Sequence, residues 1–262
     1  MAPPQQVGVV IDAGPADWTV LQQDRTGHAA LSLAGHVAPL VATNANLGMA
    51  AADEPHAPIE GASLAGGAAV VEVRVVSEDT GADVVVWTAA ESSGPLTWTA
   101  SISLPAGGLY RVETRLTVLD FSAAAAQLSP RGDMRHFLGV GDVWAIAGQS
   151  NSSGYGRGPY EDPPTLGVHL FANSNRWALA THPMNESTDT AHPQNREGGN
   201  PGHSPFLQFG RLLQRELGHP IGLLQVSLGA SPLSVWEEGA ALNTLMSDCV
   251  DQSGCNGLKG VW

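Results

Sequence analysis

A serine stands directly after an apolar run in residues 140–151, VGDVWAIAGQSN. The apolar part is typical of a buried strand, and it ends in Gly148-Gln149-Ser150-Asn151, small or polar residues that a protein core does not require. A hydroxyl exposed at such a turn can act as a nucleophile while neighbouring backbone N–H groups point at a developing oxyanion. Ser150 is therefore the candidate nucleophile, although the same four residues also suit an ordinary turn.

A second apolar run, at 221–228, ends in Gly229. Because ligands of parallel sheets bind outside the carboxyl ends of the strands, we expect Ser150 and Gly229 to lie close together. From its position alone, Gly229 is a plain strand-ending glycine that adopts a positive φ.

The elements around these residues predict an α/β region. Buried strands are predicted at 140–147, 166–172, 221–228 and 258–262. A helix is predicted between the second and third strands, with Ser204 as its N-cap, Pro205 in its first position and Gly218 at its end. Strands that alternate with helices and long loops are typical of a parallel sheet.

Residues 1–118 predict a different, β-sandwich-like region, because short strands follow one another between Gly, Ala and Pro residues. The predicted strands are 7–11, 18–22, 29–33, 69–76, 83–88, 97–104 and 109–118. Residues 119–136 are predicted to be a linker and 137–262 a second domain. The linker contains Arg131-Gly132-Asp133, which resembles an adhesion tripeptide, although chance occurrence in a polar linker is the simpler explanation. A structural or adhesive surface protein is accordingly a more distant alternative function.

The charge balance excludes several partner classes. Asp and Glu number 25 against 12 Lys and Arg, and the formal net charge is −13. Phosphate backbones and anionic membranes repel such a surface, so we expect neither nucleic acid nor membrane as a partner. The amino end lacks the features of a signal peptide, and no apolar run approaches the roughly 18 residues of a transmembrane helix, which predicts a soluble chain. The compartment and the oligomeric state are left open.

Two cysteines, Cys249 and Cys255, lie six residues apart in a local segment. A disulfide could close this segment, and two reduced thiols fit it equally well. Two cysteines are too few for a structural zinc site, and the sequence predicts no metal site.

A family resemblance gives these patterns a function. GDVWAIAGQSN, at 141–151, resembles the first conserved block of the sialate O-acetylesterase-like carbohydrate esterases, a branch of the SGNH hydrolases that includes acetylxylan esterases. GHSPFLQFGRLLQRELGHPIGLLQVSLGASPLSVW, at 202–236, is similar to the family's helix, strand and second block. The resemblance implies a flavodoxin-like three-layer SGNH hydrolase domain preceded by a β-sandwich-like region.

The same resemblance implies roles for individual residues. Ser150 becomes the nucleophile of an O-acetylesterase, and the N–H groups of Ser150 and Gly229 form the oxyanion hole. Gln149 and Asn151 support the nucleophile turn. The implied substrate is an acetylated carbohydrate, with no organic cofactor. No residue after Ser150 matches the family's catalytic Asp or His, which implies a domain truncated at its carboxyl end.

The long polar segment 171–202 is predicted to contact the substrate or to be a disordered surface loop. Its candidate contacts are an aromatic ring, guanidinium groups and amides, which are groups that bind sugars: Trp177, Arg176, Asn185, Asn195 and Arg196. His203, directly after the segment, is a further candidate, either as a cap or pocket residue or as a general base. The main alternative function is a non-catalytic carbohydrate-binding protein on the same fold.

Overall fold

The chain forms a mixed α/β structure that consists mostly of sheet. A computed structural model describes residues 8–38, 69–118, 131–157, 162–199 and 201–262. The strands are β1 (Gly8–Ala13), β2 (Val20–Gln22), β3 (His28–Ala38), β4 (Ala69–Ser77), β5 (Asp83–Ala89), β6 (Glu91–Ser92), β7 (Thr97–Pro105), β8 (Gly107–Val118), β9 (Arg131–Ile146), β10 (Val168–Phe171), β11 (Trp177–Leu179), β12 (Ile221–Gln225) and β13 (Gly260–Val261). The helices are α1 (Ser150–Ser153), α2 (Pro205–Leu217) and α3 (Ala241–Ser253).

Two compact units are present. The first comprises Met1–Gly14, Ser32–Ser101 and Arg111–Arg135, and the second comprises Pro15–Leu31, Ile102–Tyr110 and His136–Trp262. The predicted division into residues 1–118 and 137–262 stays a prediction. In the described part of the chain, no helix is both long and apolar enough to cross a bilayer.

In the first unit, β1 and β3 pair antiparallel and belong to a sheet of order β1-β3-β7-β6. β4 and β5 form an antiparallel pair in a second sheet. Alternate residues of β4 are fully buried, which is the period-two pattern of a strand with one face on the core.

The Arg131-Gly132-Asp133 tripeptide does not lie in a linker, because β9 begins at Arg131. The Asp133 carboxylate accepts a hydrogen bond from the Ile11 N–H at 3.0 Å, and the Asp133 carbonyl accepts one from the Thr114 hydroxyl at 2.8 Å. This pairing corrects the predicted linker over 131–136. It also removes the basis for an adhesive contact, since the carboxylate is engaged within the fold. The rest of the linker, 119–130, lies outside the described residues.

The second unit contains the predicted parallel sheet. β12 pairs parallel with both β9 and β10, and β13 pairs parallel with β9 on the other side. β11 adds an antiparallel edge strand next to β10. All residues of β10 and β12 are buried, as expected for parallel strands that are covered on both faces.

The helices cover opposite faces of this sheet. Leu207 of α2 packs with Leu223 and Ile146, whereas Leu242 and Leu245 of α3 belong to the cluster around residues 143, 145 and 224. Neighbouring strand residues point to opposite faces, so the two clusters lie on the two sides of the sheet.

The start and end of α2 follow the sequence prediction. The Ser204 hydroxyl accepts a hydrogen bond from the Phe206 N–H at 3.3 Å, and Gly218 ends the helix in the left-handed conformation at φ 73°. Gly210 allows close contact with the sheet, because a Cβ there would lie 2.7 Å from Val168 Cγ1. The predicted helix is confirmed, and it packs against the sheet that carries the Ser150 and Gly229 segments.

A buried histidine in β10 makes the stability of the fold depend on pH. His169 is fully buried, its Nδ1 lies 2.6 Å from the Trp18 carbonyl oxygen, and its Nε2 has no hydrogen-bond partner. Burial lowers the pKa of His169 from 6.5 to about 4, against the opposing effect of the Trp18 carbonyl. A lowered folded-state pKa means that the unfolded chain binds the proton first as the pH falls.

We therefore expect stability to decline between pH 6.5 and about 4, by up to about 3 kcal/mol from this residue. Urea unfolding of the wild type and of His169→Gln at a series of pH values measures this. The variant should lose less stability than the wild type over that window, and the exposed His28→Gln should behave as wild type. Equal pH dependence of the wild type and His169→Gln would contradict the assignment.

Candidate active site

The Ser150 turn follows the end of β9. Gly148 adopts φ 120°, a conformation that L side chains rarely adopt, and a Cβ there would lie 2.7 Å from the Ser152 hydroxyl. The chain then turns at Gln149, the N-cap of α1, whose side chain makes no capping bond. Gln149 and Asn151 are exposed, and their carbonyl groups accept the N–H groups of Ser153 and Gly154 at 2.8 and 3.3 Å. The turn is thus held by backbone hydrogen bonds.

Gly229 lies at the same edge of the sheet as Ser150. β12 runs in register with β9, from Ile221 opposite Asp142 to Gln225 opposite Ile146. Beyond the strands the pairing continues, because the Leu228 N–H donates to the Gly148 carbonyl at 3.0 Å. The segment that carries Gly229 therefore lies beside the Ser150 turn.

Gly229 is a glycine because of close contacts and not because of its φ. Its φ lies outside the left-handed region that the plain-turn interpretation required, whereas Ala230 has φ 59°. A Cβ on Gly229 would lie 2.8 Å from Glu197 Oε2 and 2.9 Å from Tyr155 Cε2. Tyr155 is tied to the nucleophile turn, since its N–H donates to the Ser150 carbonyl at 3.1 Å.

The Gly229 N–H already has a partner in this structure. It donates to Glu197 Oε1 at 2.9 Å, and Asn185 Nδ2 donates to the same oxygen at 2.7 Å. The Tyr155 hydroxyl donates to Glu197 Oε2 at 2.8 Å, and this bond raises the pKa of Tyr155. Tyr155 therefore remains a protonated donor at neutral pH.

Three of the predicted substrate contacts, Trp177, Asn185 and Asn195, are buried. Trp177 is 7% exposed and its Nε1 donates to the Ser253 carbonyl at 2.8 Å, so its ring is not a platform for a sugar. Asn195 is fully buried, and its Nδ2 donates to Asn173 Oδ1 at 2.8 Å. Buried polar groups require hydrogen-bond partners within the protein, and the Trp177 indole N–H and the Asn195 amide each have one.

Arg176 and Arg196 are exposed, and Arg196 lines a cavity of about 330 Å³ together with residues 186–188, 197–199 and 201. His203 lies beside the chain that leaves α1, because its carbonyl accepts the Gly156 N–H at 3.0 Å. The centroids of the His182 and His203 rings lie 4.5 Å apart. His182 Nε2 lies 3.3 Å from a carboxylate oxygen of Asp162.

Sequence reasoning missed Tyr155 and Glu197. Tyr155 follows Ser150 by five residues, and Glu197 lies in the polar segment 171–202, where nothing distinguishes it from its neighbours. The hydrogen bond between them joins residues that are 42 positions apart, and no local sequence pattern predicts such a contact.

Both cysteines are free and buried, so the disulfide alternative is not realised. Burial raises the pKa of the Cys249 thiol to about 12, which leaves it protonated and unreactive at neutral pH. Among the described residues, no group of three or more His, Cys, Asp or Glu side chains could hold a metal ion.

Comparison with known proteins supports an esterase class. Residues 140–261 match the family described as carbohydrate esterase, sialic acid-specific acetylesterase. The resemblance stated for the Ser150 and Gly229 segments is thus confirmed, because residues 140–261 are similar to this family.

Two solved structures are similar to the chain. One is a protein from Arabidopsis thaliana with 24% identity and a TM-score of 0.40, and the match covers 46% of this chain and 55% of that one. The other is a carbohydrate acetylesterase from Xanthomonas citri with 18% identity and a TM-score of 0.41, covering 95% of this chain and 50% of that one. The chain therefore spans about half the length of these structures. No curated protein matches the chain.

Proposed function

We propose that residues 137–262 are the amino-terminal part of a serine esterase domain that removes O-acetyl groups from a carbohydrate. The observation that carries the proposal is the meeting of two strand ends, where the Leu228 N–H donates to the Gly148 carbonyl and brings the Gly229 segment beside Ser150. The match of residues 140–261 to carbohydrate esterases supports the same reaction. Helices on both faces of the sheet support the flavodoxin-like three-layer SGNH arrangement.

In this reaction the Ser150 hydroxyl attacks the acetyl carbonyl, and its proton passes to a base. The carbonyl oxygen becomes an oxyanion, which the N–H groups of Ser150 and Gly229 stabilise. The C–O bond to the sugar breaks, the sugar oxygen takes up a proton, and acetyl-serine remains. Water then attacks this ester and releases acetate and the free serine. No organic cofactor enters these steps.

The base and its acidic partner are proposed to lie outside residues 1–262. A serine hydroxyl is a weak nucleophile without an adjacent base, and no residue after Ser150 matches the family's Asp or His. His203 is the alternative base within the chain, because it lies beside α1 and next to His182.

The substrate is proposed to bind where the 330 Å³ cavity borders Glu197. Hydroxyl, carboxyl and guanidinium groups line it, and such groups form the hydrogen bonds that orient a sugar. The exposed Arg176 and the half-buried His203 remain candidate contacts, whereas the buried Trp177 and Asn195 do not.

Acetate release from acetylated xylan and from O-acetylated sialic acid tests the proposal. We expect Ser150-dependent release by the protein extended through its natural reading frame, and slow or undetectable release by residues 1–262. Equal Ser150-dependent rates in both proteins would place the base within residues 1–262, and His203→Gln would then be the first variant to assay.

The second candidate function is carbohydrate binding without catalysis. The occupation of the Gly229 N–H by Glu197 favours it, since a donor that stays paired cannot stabilise an oxyanion. Sugar binding without acetate release by the extended protein would establish this alternative and reject the esterase.

A further inference from the structure

A tryptophan lies on the outward face of a sheet in the first unit. Three strands follow one another in the order β8-β4-β5, and β5, which carries Trp87, is the edge strand. In β4 the buried residues 69, 71, 73 and 75 face the core, so the alternating Glu72 and Arg74 point to the other side. Arg74 Cζ lies 4.8 Å from the centre of the Trp87 ring. The indole therefore lies on the face that points away from the core.

Two guanidinium groups hold this indole. Arg115 of β8 also stacks on Trp87, with its Cζ 4.2 Å from the ring centre. Because β4 and β8 lie on the same side of the edge strand, both cations reach the indole from that side. Trp87 is only half-buried, so part of its surface stays open to solvent. The ring is thus held in place and is still accessible.

Carboxylates fix both guanidinium groups in turn. Arg115 Nε donates to Glu72 Oε2 at 2.7 Å, and Arg74 Nε donates to Glu113 Oε2 at 2.8 Å. The other carboxylate oxygen of Glu113 accepts from Arg111 Nε at 2.7 Å, and Glu113 is 5% exposed. These charge-assisted hydrogen bonds order the side chains before any ligand arrives.

We propose that this face binds a neutral polysaccharide, with one sugar ring packed on the accessible part of the Trp87 indole. We call it the Trp87 face and define it by the side chains described above: Glu72, Arg74, Trp87, Arg111, Glu113 and Arg115. All six lie in the first unit. The Trp87 face contains no residue assigned to ester hydrolysis, so it goes beyond the proposed reaction, and its role is to keep a polymer bound to the protein.

The chemistry of the Trp87 face fits a sugar ring. One side of a sugar ring consists of C–H groups that pack on an aromatic ring, and its edge carries hydroxyl groups that need hydrogen-bond partners. Around Trp87, guanidinium groups donate and carboxylates accept. The Arg115 and Glu72 side chains are 31% and 18% exposed, so both keep part of their surface accessible to such hydroxyl groups.

The charge of the Trp87 face favours a neutral ligand. Its three guanidinium groups are paired with four carboxylates, namely those of Glu72, Glu78, Asp83 and Glu113. The face therefore carries no excess of positive charge, and the whole chain has a formal net charge of −13. An anionic polymer is repelled by such a surface, whereas the hydroxyl groups of a neutral polysaccharide are not.

Soluble arabinoxylan, galactomannan and mixed-linkage glucan are the probes, because all three are neutral polysaccharides. We expect at least one of them to retard the chain in affinity gel electrophoresis, and Trp87→Ala to weaken that binding about tenfold. Polygalacturonate, an anionic polymer, should retard neither protein. Val86→Ala, which removes a 65% exposed side chain from the same strand, should match the wild type.

Two further substitutions separate stacking on the indole from packing within the protein. Trp87→Phe keeps an aromatic ring and should retain most of the affinity. Trp87→Leu keeps apolar bulk without a ring and should bind as weakly as Trp87→Ala, so it serves as the test if the alanine variant does not fold. Retardation that is equal in wild type and Trp87→Leu, or absent with all three neutral polymers, overturns the inference.

The inference and the proposed function fail in different ways. Polysaccharide binding that depends on Trp87, without Ser150-dependent acetate release by the extended protein, supports the Trp87 face and rejects the esterase. Ser150-dependent acetate release, together with polysaccharide binding that is unchanged in Trp87→Ala and Trp87→Leu, retains the esterase and overturns the assignment of the Trp87 face.

Discussion

Ser150→Ala is expected to lower kcat for acetyl-ester hydrolysis by about 10⁴- to 10⁶-fold in the protein extended through its natural reading frame. The loss is large because the acyl-serine intermediate cannot form without the hydroxyl, and nucleophile and base act as a unit. Hydrolysis of p-nitrophenyl acetate measures it, with acetate release from an acetylated carbohydrate as the second assay.

Ser153→Ala is the matched control, since it removes a hydroxyl from the same short helix. Ser153 is fully buried and its Oγ has no hydrogen-bond partner, so the loss of this hydroxyl should change neither kcat nor stability appreciably. A Ser150→Ala protein with near-wild-type turnover would show that another residue attacks the ester.

Local sequence patterns were sufficient for much of the fold around Ser150. β12 and α2 have strong signals, namely an apolar run, a Ser204 cap with Pro205 behind it, and Gly218 at the end. α3 was not predicted, because its N-cap is Ala240 and no capping side chain marks its start. The early start of β9 at Arg131 was missed as well, because polar residues there pair with strands that are distant in sequence.

The candidate site was only partly predictable for a related reason. Strand-end rules identified Ser150 and Gly229 because each follows its own strand directly. Glu197 reaches Gly229 across 32 residues, and its other contacts come from Asn185 and Tyr155. Composition also suggested that Trp177 would face a sugar, whereas its indole N–H is satisfied by the Ser253 carbonyl in the core.

Gly229→Ala is expected to lower kcat by about 10²- to 10³-fold while KM changes little. The added Cβ would lie 2.9 Å from Tyr155 Cε2, and Tyr155 is fixed to the Ser150 carbonyl, so the Gly229 backbone has to shift. The shift moves a donor that acts mainly in the transition state. The unfolding midpoint should fall little, because the φ of Gly229 is not in the left-handed region and the end of the Glu197 side chain can move.

Gly239→Ala is a control in the same part of the chain, because it is expected to lower stability without lowering turnover. Gly239 has φ 77°, and no atom lies within 4 Å of the position that a Cβ would take, so alanine there introduces backbone strain without a clash. It should lower the midpoint by a few degrees, for about 1 kcal/mol of strain, and leave turnover per folded molecule normal. If Gly229→Ala behaves like Gly239→Ala, the Gly229 N–H does not stabilise the oxyanion, and the glycine is needed only for packing against Tyr155.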